Sequence, residues 1–208
     1  MNTTRRYHMR ARAASTQATR ERIIGAMLEM CMDRWYDEVT LRDVAGRSGV
    51  ALQTVVNHFG SKEGLLAAML EDPRAEQEFG GQRLTAVPGD IPAAIGLLVA
   101  DYEHAGDAAI RFLALESRVP ALAALLAFGR TGHRAWVERT FPAALAGFTG
   151  PARDQRLALL VCATDVYTWR LLRRDQGMTR DGTAAAMTEL VRALHPSGPP
   201  AHDQGRAR

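Results

Sequence analysis

Cysteine is scarce in this chain and nothing pairs it. Cys31 and Cys162 are the only two in 208 residues and no Cys-x-x-Cys occurs, so neither a disulfide framework nor a zinc ligand set is indicated. Both read as small buried hydrophobes in a reducing cytosol. No run approaches the ~20 apolar residues that a membrane-spanning helix needs, and the first residues hold no apolar stretch suited to a signal peptide. A cytoplasmic protein with no membrane partner is expected. Catalytic patterns are missing as well: there is no Gly-x-Ser-x-Gly, His-Glu-x-x-His, Gly-x-Gly-x-x-Gly or P-loop. The histidines show no metal-ligand spacing. The chain is therefore expected not to be an enzyme and to need no cofactor or metal. No segment alternates with the period of a strand and no internal repeat is visible, which makes the expected fold all-α.

What is present begins with enough apolar material for a core. Hydrophobic residues make up 47% of the chain, a proportion that excludes a disordered protein and allows one domain or two small ones. The net charge of +3 says little about partners, but its distribution says more. Arg5, Arg6, Arg10, Arg12 and Arg20 lie in the first twenty residues with no acidic residue among them. Residues 1–18 read as a basic flexible arm, either a solvated terminus or an appendage that lies against DNA. From Thr19 to about Arg34, Ile23, Ile24, Met27, Leu28, Met30 and Cys31 recur at helical spacing and predict a first helix with a wide apolar face.

Residues 40–66 carry the most information. Thr40 can cap a helix with Asp43 answering from three residues on, and Gly49 can take positive φ and end that helix near Ser48. A second short helix runs from about Leu52 to Phe59. At 3.6 residues per turn Leu52, Val55, Val56 and Phe59 share one side, and Gln53, Thr54, Asn57 and His58 share the other. Two short helices joined by a glycine turn are a helix-turn-helix, whose second helix can read a major groove. Gln53 and Asn57 offer a donor and an acceptor together, as adenine edges require; the Thr54 methyl suits thymine. Thr40, His58 and Lys62 suit phosphate contacts. A fourth helix is expected from Lys62 to near Leu70.

This stretch resembles the DNA-binding signature of the tetracycline-repressor (TetR) family. The likeness extends from Ile23-Ile24-Gly25-Ala26-Met27-Leu28-Glu29, where that family has its first helix, to Phe59-Gly60-Ser61-Lys62-Glu63-Gly64-Leu65-Leu66, where its fourth begins. The resemblance adds Arg42 as a residue that reaches a base, with Leu52 and Val56 bordering the contact surface. Three positions depart from the pattern: Val56 stands for a tyrosine, Ala51 for a capping residue and Trp35 for a glycine. It implies an N-terminal three-helix helix-turn-helix DNA-binding domain, residues 19–70, and a C-terminal helical ligand-binding and dimerisation domain, residues 71–194. The tail, 195–208, holds Pro196, Gly198, Pro199 and Pro200 and is expected to be disordered.

Beyond Asp90 the periodicity predicts helices at about 91–105, 107–118, 120–145 with an interruption, 152–174 and 180–194. Residues 157–163 are apolar all round, so one side of that helix is expected to need a second copy of the chain. Together with the last helix this yields a four-helix dimer bundle through Leu157, Leu160, Val161, Leu171, Met187, Leu190, Val191 and Leu194. The resembled family dimerises there too. Its members also bind an apolar or amphipathic molecule among these helices. Tyr102, Phe112, Glu116, Phe128, His133, Trp136, Asp165, Tyr167 and Trp169 are the residues available here, with His104 beside them, and core packing is the competing role for each aromatic. Asp165, set in an apolar helix, calls for a partner such as Arg170, Arg111 or a cationic ligand. The expected function is a dimeric, ligand-responsive transcriptional regulator, a repressor on a palindromic double-stranded DNA operator, released by a small effector. The alternative is a helical ligand-binding or protein-interaction module with weakened DNA readout.

Overall fold

A computed structural model describes the backbone of residues 3–195, and the side chains from position 13 onward apart from those of Leu70 and Glu76. The expected tail lies outside the described residues from position 196 on. Every regular element among the described residues is helical, so the fold is all-α.

Helix α1 (Thr3–Asp33) starts well before the expected Thr19. Residues 3–18 hold no proline or glycine and are rich in arginine and alanine. Such residues extend an existing helix without a new nucleus. Helices α2 (Leu41–Ser48), α3 (Leu52–Phe59) and α4 (Lys62–Leu70) fall where the sequence predicts them. Helix α5 (Pro73–Gly80) lies where no helix is predicted. Its Glu-Asp-Pro opening is a start signal: Asp72 accepts from the Arg74 N–H at 3.0 Å and Pro73 takes the first helical position. Helix α6 (Ile91–Leu115) runs unbroken through Gly106 where two helices are expected. An interior glycine costs only about 1 kcal/mol, which the buried residues on either side of it offset. Helix α7 (Pro120–Thr140) gives way at Phe141 to the one-turn α8 (Pro142–Leu145), the expected interruption. The expected helix 152–174 is three pieces: α9 (Gly150–Thr164), α10 (Val166–Arg170) and a π turn at Leu171–Asp175. Helix α11 (Arg180–Ala193) is capped by Thr179, whose hydroxyl accepts from the Gly182 N–H at 3.1 Å.

Two compact units result, Met1–Gly81 with Asp101–Gly129 and Gln82–Ala100 with Arg130–Arg208, so α6 and α7 each lend a half to both. In the first unit Ile23, Ile24, Met27, Leu28 and Cys31 of α1 share one core with Val44 and Ala45 of α2, Val55 of α3, and Leu65, Leu66 and Met69 of α4. Phe112, Leu115 and Leu122 complete it. Each large side chain contributes about 2 kcal/mol by leaving water. Phe79 meets Phe112 edge-on at 5.9 Å, and the Arg111 guanidinium donates to the Met32 carbonyl. In the second unit α9 packs on α8, α10 and α11. Trp136 lies edge-on to Phe141 at 5.5 Å and its Nε1–H donates to the Arg83 carbonyl at 2.8 Å. The two cysteines part company. Burial pushes the Cys31 thiol up to about 11, whereas Cys162 is exposed on α9, contrary to the expectation that both are buried.

The joint between α3 and α4 depends on one missing atom. A Cβ on Gly64 would stand 2.1 Å from the Phe59 carbonyl oxygen, while one on Gly46 would meet nothing within 4 Å. Gly64→Ala is therefore expected to lower stability by about 2–3 kcal/mol, and Gly46→Ala to raise it by up to about 1 kcal/mol. Urea unfolding midpoints measure both; coincident midpoints for the two variants would contradict this account.

Candidate functional site

The surface around α3 is assembled from its neighbours inward. Thr40 and Asp43 close a reciprocal box at the start of α2: the Asp43 N–H donates to Thr40 Oγ1 at 3.1 Å and the Thr40 N–H to Asp43 Oδ2 at 3.0 Å. The Thr40 hydroxyl donates to the same carboxylate at 2.8 Å. Hydrogen bonds from Thr40 hold the Asp43 carboxyl below its usual range. Gly49, at φ 67° and ψ 35°, ends α2 in the left-handed region and turns the chain into α3. Ala51 supplies no side-chain cap to α3, and the Thr54 N–H donates to the Ala51 carbonyl at 2.9 Å. Ser61 caps α4, accepting from the Gly64 N–H at 3.1 Å.

Within α3 the two sides separate as their chemistry requires. Val55 is fully buried in the core, whereas Gln53 and Asn57 are exposed and Thr54 and His58 are half-buried. Gln53 Nε2 donates to Asn57 Oδ1 at 2.9 Å, which fixes the two amides relative to each other and leaves Gln53 Oε1 and Asn57 Nδ2 for a further partner. His58 lies 5.8 Å from the Phe59 ring. Leu52 departs from its expected place on the packed side. It is exposed, because it opens the helix beyond the reach of α2's apolar residues, while Val56 is half-buried. Arg42 is exposed on α2 with no partner among the described residues.

Two residues expected at phosphate have internal work. The polar groups of Thr40 that make the box are engaged within α2. Lys62 is half-buried, with its ammonium 4.2 Å above the Tyr36 ring and donating to the Asp37 carbonyl at 3.3 Å. Burial lowers its pKa. It pins the start of α4 to the turn Tyr36–Glu38. One contact was not legible beforehand: the Arg20 guanidinium sits 5.5 Å from the centre of the Phe59 ring, joining α1 to the last residue of α3.

A polar helix face held outward by a buried valine on its reverse is how a helix-turn-helix domain meets duplex DNA, and residues 40–66 form such a domain. Residues 23–69 match the family of bacterial regulatory proteins called tetR. That stretch, less than a quarter of the chain, is a helix-turn-helix DNA-binding domain of the tetR type. The chain is 38% identical over 52 residues to the HTH-type transcriptional regulator AlkX of Mycobacterium tuberculosis. That match spans a quarter of this chain and a quarter of the relative's length. In fold it is similar to a transcriptional regulator from Rhodococcus sp. Rha1, with TM-score 0.61 and 19% identity over 84% of this chain and 95% of that one. SmeT in its complex with triclosan aligns with TM-score 0.60 and 17% identity over 92% of this chain and 99% of that one. Among the described residues no helix is long and apolar enough to cross a membrane.

The residues expected to line a ligand pocket fall in both units and have varied surroundings. Tyr102 and Phe112 are buried and Glu116 half-buried in the first unit, where Phe128 is exposed. His104 pairs with Glu78 at 2.5 Å on the surface. In the second unit His133, Trp136 and Trp169 are buried and Tyr167 is exposed. Trp169 carries the Arg174 guanidinium 4.7 Å from its ring centre. Asp165 does not sit inside a helix, which corrects its expected need for arginine. It ends α9 and caps α10, accepting from the Tyr167 N–H at 2.8 Å. Burial raises its pKa.

The expected dimer residues divide. Leu157, Leu160, Met187 and Val191 have no exposure, because they pack into the core of their own chain and are unavailable to a second. Val161 and Leu194 are half-buried. Leu159, Leu171 and Leu190 are 46%, 51% and 44% exposed. With Ala158 and Cys162, also exposed, Leu159 forms an outward apolar stripe on α9 at helical spacing. Residues 157–163 are apolar on both sides, so periodicity alone gave no means of choosing between the stripes.

His133 is locked neutral. Its Nε2 lies 3.0 Å from Thr164 Oγ1, whose hydroxyl donates to the Leu160 carbonyl at 2.8 Å, so the imidazole N–H is the donor to Thr164. Its ring stacks on Trp136 at 5.7 Å. Burial first, and the Arg83 charge second, push its pKa down to about 4. The unfolded chain binds a proton there near pH 6.5, so stability is lost as pH falls from about 6.5 to 4. About 2 kcal/mol should disappear between roughly pH 7 and pH 5 through this group. His133→Leu is expected to flatten the pH dependence by that amount in urea unfolding at the two pH values; a profile parallel to wild type would refute the assignment.

Proposed function

We propose that this regulator is a ligand-responsive dimeric repressor that occupies a palindromic operator and leaves it when a small apolar or amphipathic effector binds. We assign DNA reading to residues 19–70, and effector binding and dimerisation to residues 71–194. The observation that carries this reading is the outward position of Gln53 and Asn57 on α3 with Val55 buried behind them. Amides so placed suit adenine edges, Thr54 suits a thymine methyl, and Arg42, unpaired on α2, suits guanine. Leu52 and Val56 border this surface, and His58, Thr40 and Lys62 flank it.

Support for a dimer comes from the α9 stripe of Ala158, Leu159 and Cys162, with Leu171 and Leu190 as further exposed leucines. Contiguous apolar surface on a single chain calls for a partner, and a two-fold pair makes a bundle and presents two reading helices to one duplex. One solved structure of similar fold is a complex of SmeT with triclosan, which supports a small-molecule effector here. In this chain the proposed effector contacts are Tyr102, Phe112, Glu116 and Phe128 of the first unit and, taken separately, His133, Trp136, Asp165, Tyr167 and Trp169 of the second. Release follows if the effector binds more tightly to a head spacing that does not fit the operator, since only that difference in affinity can shift the population.

Selection of bound sequences from a random duplex library by the purified protein tests the reading, with a palindromic consensus as the expected result. Sequence-blind, steeply salt-dependent binding would point instead to a ligand-binding or interaction module with weakened readout. On the selected sequence Gln53→Ala with Asn57→Ala is expected to weaken binding by about 2–5 kcal/mol at fixed salt, and an unchanged affinity would remove α3 from the readout. Leu159→Glu with Leu171→Glu should convert the dimer to monomer in sedimentation velocity and reduce operator affinity along with it. A double variant still sedimenting as a dimer would place the interface elsewhere.

A further inference from the structure

The geometry points to an anion site on the reverse of the reading head, a cleft between α1, α2 and α5 that takes a phosphate dianion, free or as a small monoester. It shares no residue with the outward face of α3 or with the proposed effector contacts. Register on α1 places it. At 3.6 residues per turn, positions 22, 25, 26 and 29 fall within about one third of the circumference, in an arc centred about half a turn from the one holding Ile23, Ile24, Met27 and Cys31. Those four are buried in the core that also seats Val55 of α3. The body of α1 therefore stands between the cleft and the reading helix.

The cleft, about 320 Å³ in volume, is lined by Arg22, Gly25, Ala26 and Glu29 of α1 with Arg47 of α2 and Arg74 of α5. Three guanidiniums thus face one carboxylate, and each keeps N–H groups unused. Arg47 directs Nε and Nη2 at Glu29 Oε2, at 3.0 and 2.7 Å, and its Nη1 has no partner among the described residues. Arg74 directs Nε and Nη2 at the Asp72 carboxylate, each at 2.8 Å, and Nη2 also at the Glu21 carbonyl at 3.0 Å. Its Nη1 lies over Gly25, 3.1 Å from where a Cβ would stand. One edge of this guanidinium is saturated, and the absent side chain leaves the other edge open to the cleft. Arg22 is exposed, with no hydrogen bond or ion pair among the described residues.

Donor edges arriving from three helices suit a tetrahedral anion, because each of several oxygens can meet a different guanidinium. A planar carboxylate has two oxygens and is satisfied by a single arginine fork. Phosphate also brings close to two negative charges at neutral pH. An apolar molecule gains little here, since Gly25 and Ala26 are the only apolar residues of the lining.

The test titrates the full-length protein with inorganic phosphate and, separately, with glycerol 3-phosphate at fixed ionic strength, chloride serving as the reference anion. The amide resonances of Gly25 and Ala26 report on the cleft, and both should shift saturably with phosphate or its ester but not with chloride. R22Q/R47Q removes two guanidiniums and should weaken the affinity by roughly tenfold or more. E29Q frees Arg47 and removes the one repelling charge, so it should tighten binding by roughly threefold. E38Q removes a carboxylate exposed elsewhere on the head and should leave the affinity within about twofold of wild type. Matching circular dichroism checks that each variant is folded. Tighter binding of the ester would name a phosphorylated small molecule as the occupant, and tighter binding of free phosphate the ion itself. Shifts no larger than those with chloride, an undiminished affinity in R22Q/R47Q, or equal gains from E29Q and E38Q would overturn the proposal. So would displacement of phosphate by the library-selected duplex, which would make the cleft part of the DNA surface.

Discussion

Burial of Val55 is the constraint on which the DNA-facing surface depends. An eight-residue helix is too short to hold its shape in water, so α3 exists because one side of it is seated among Ile23, Met27, Val44 and Leu65 in a shared core. Fixing Val55 inward fixes the opposite side outward, and Gln53 and Asn57 are on that side. Rotation of α3 by about half a turn would expose the valine and bury an amide, costing energy on both counts. The exposed amide face is thus a consequence of core packing, not an independent feature.

The polar residues around α3 hold backbone in place before they meet any ligand. Thr40 and Asp43 satisfy each other's N–H groups at the start of α2, and Lys62 lies over Tyr36 with its ammonium directed at the Asp37 carbonyl. Gly64 lets α4 approach the Phe59 carbonyl as no other residue can. These contacts set the angle between the short helices, which decides how far α3 can project. The first role of a side chain engaged in this way is to orient the helices.

The second unit follows a different logic. Its central helix α9 is apolar on two sides, and the chain itself covers only one, through Leu157, Leu160 and Ala163. Asp165 then ends the helix by capping the next one, so a carboxylate that looked stranded in apolar surroundings has a backbone N–H as its partner. The break lets α10 carry Trp169 into the interior while Tyr167 and Leu171 stay at the surface.

Local chemistry was enough to place α2, α3, the glycine turn and the exposed amides from sequence, because capping, positive φ and a 3.6-residue period act within a few residues. The same rules gave an interruption somewhere within 120–145 and the start of α11. They failed where the deciding contact was distant or where the pattern was symmetric. Nothing near Lys62 in sequence announces Tyr36, nothing near Arg20 announces Phe59, and residues 157–163 gave the wheel two equal apolar sides. The sequence by itself determined an all-α chain with a helix-turn-helix near its start, since periodicity and end signals are local. Only the tertiary structure decided which leucines are core and which remain at the surface, because burial depends on what distant parts of the chain bring to each face.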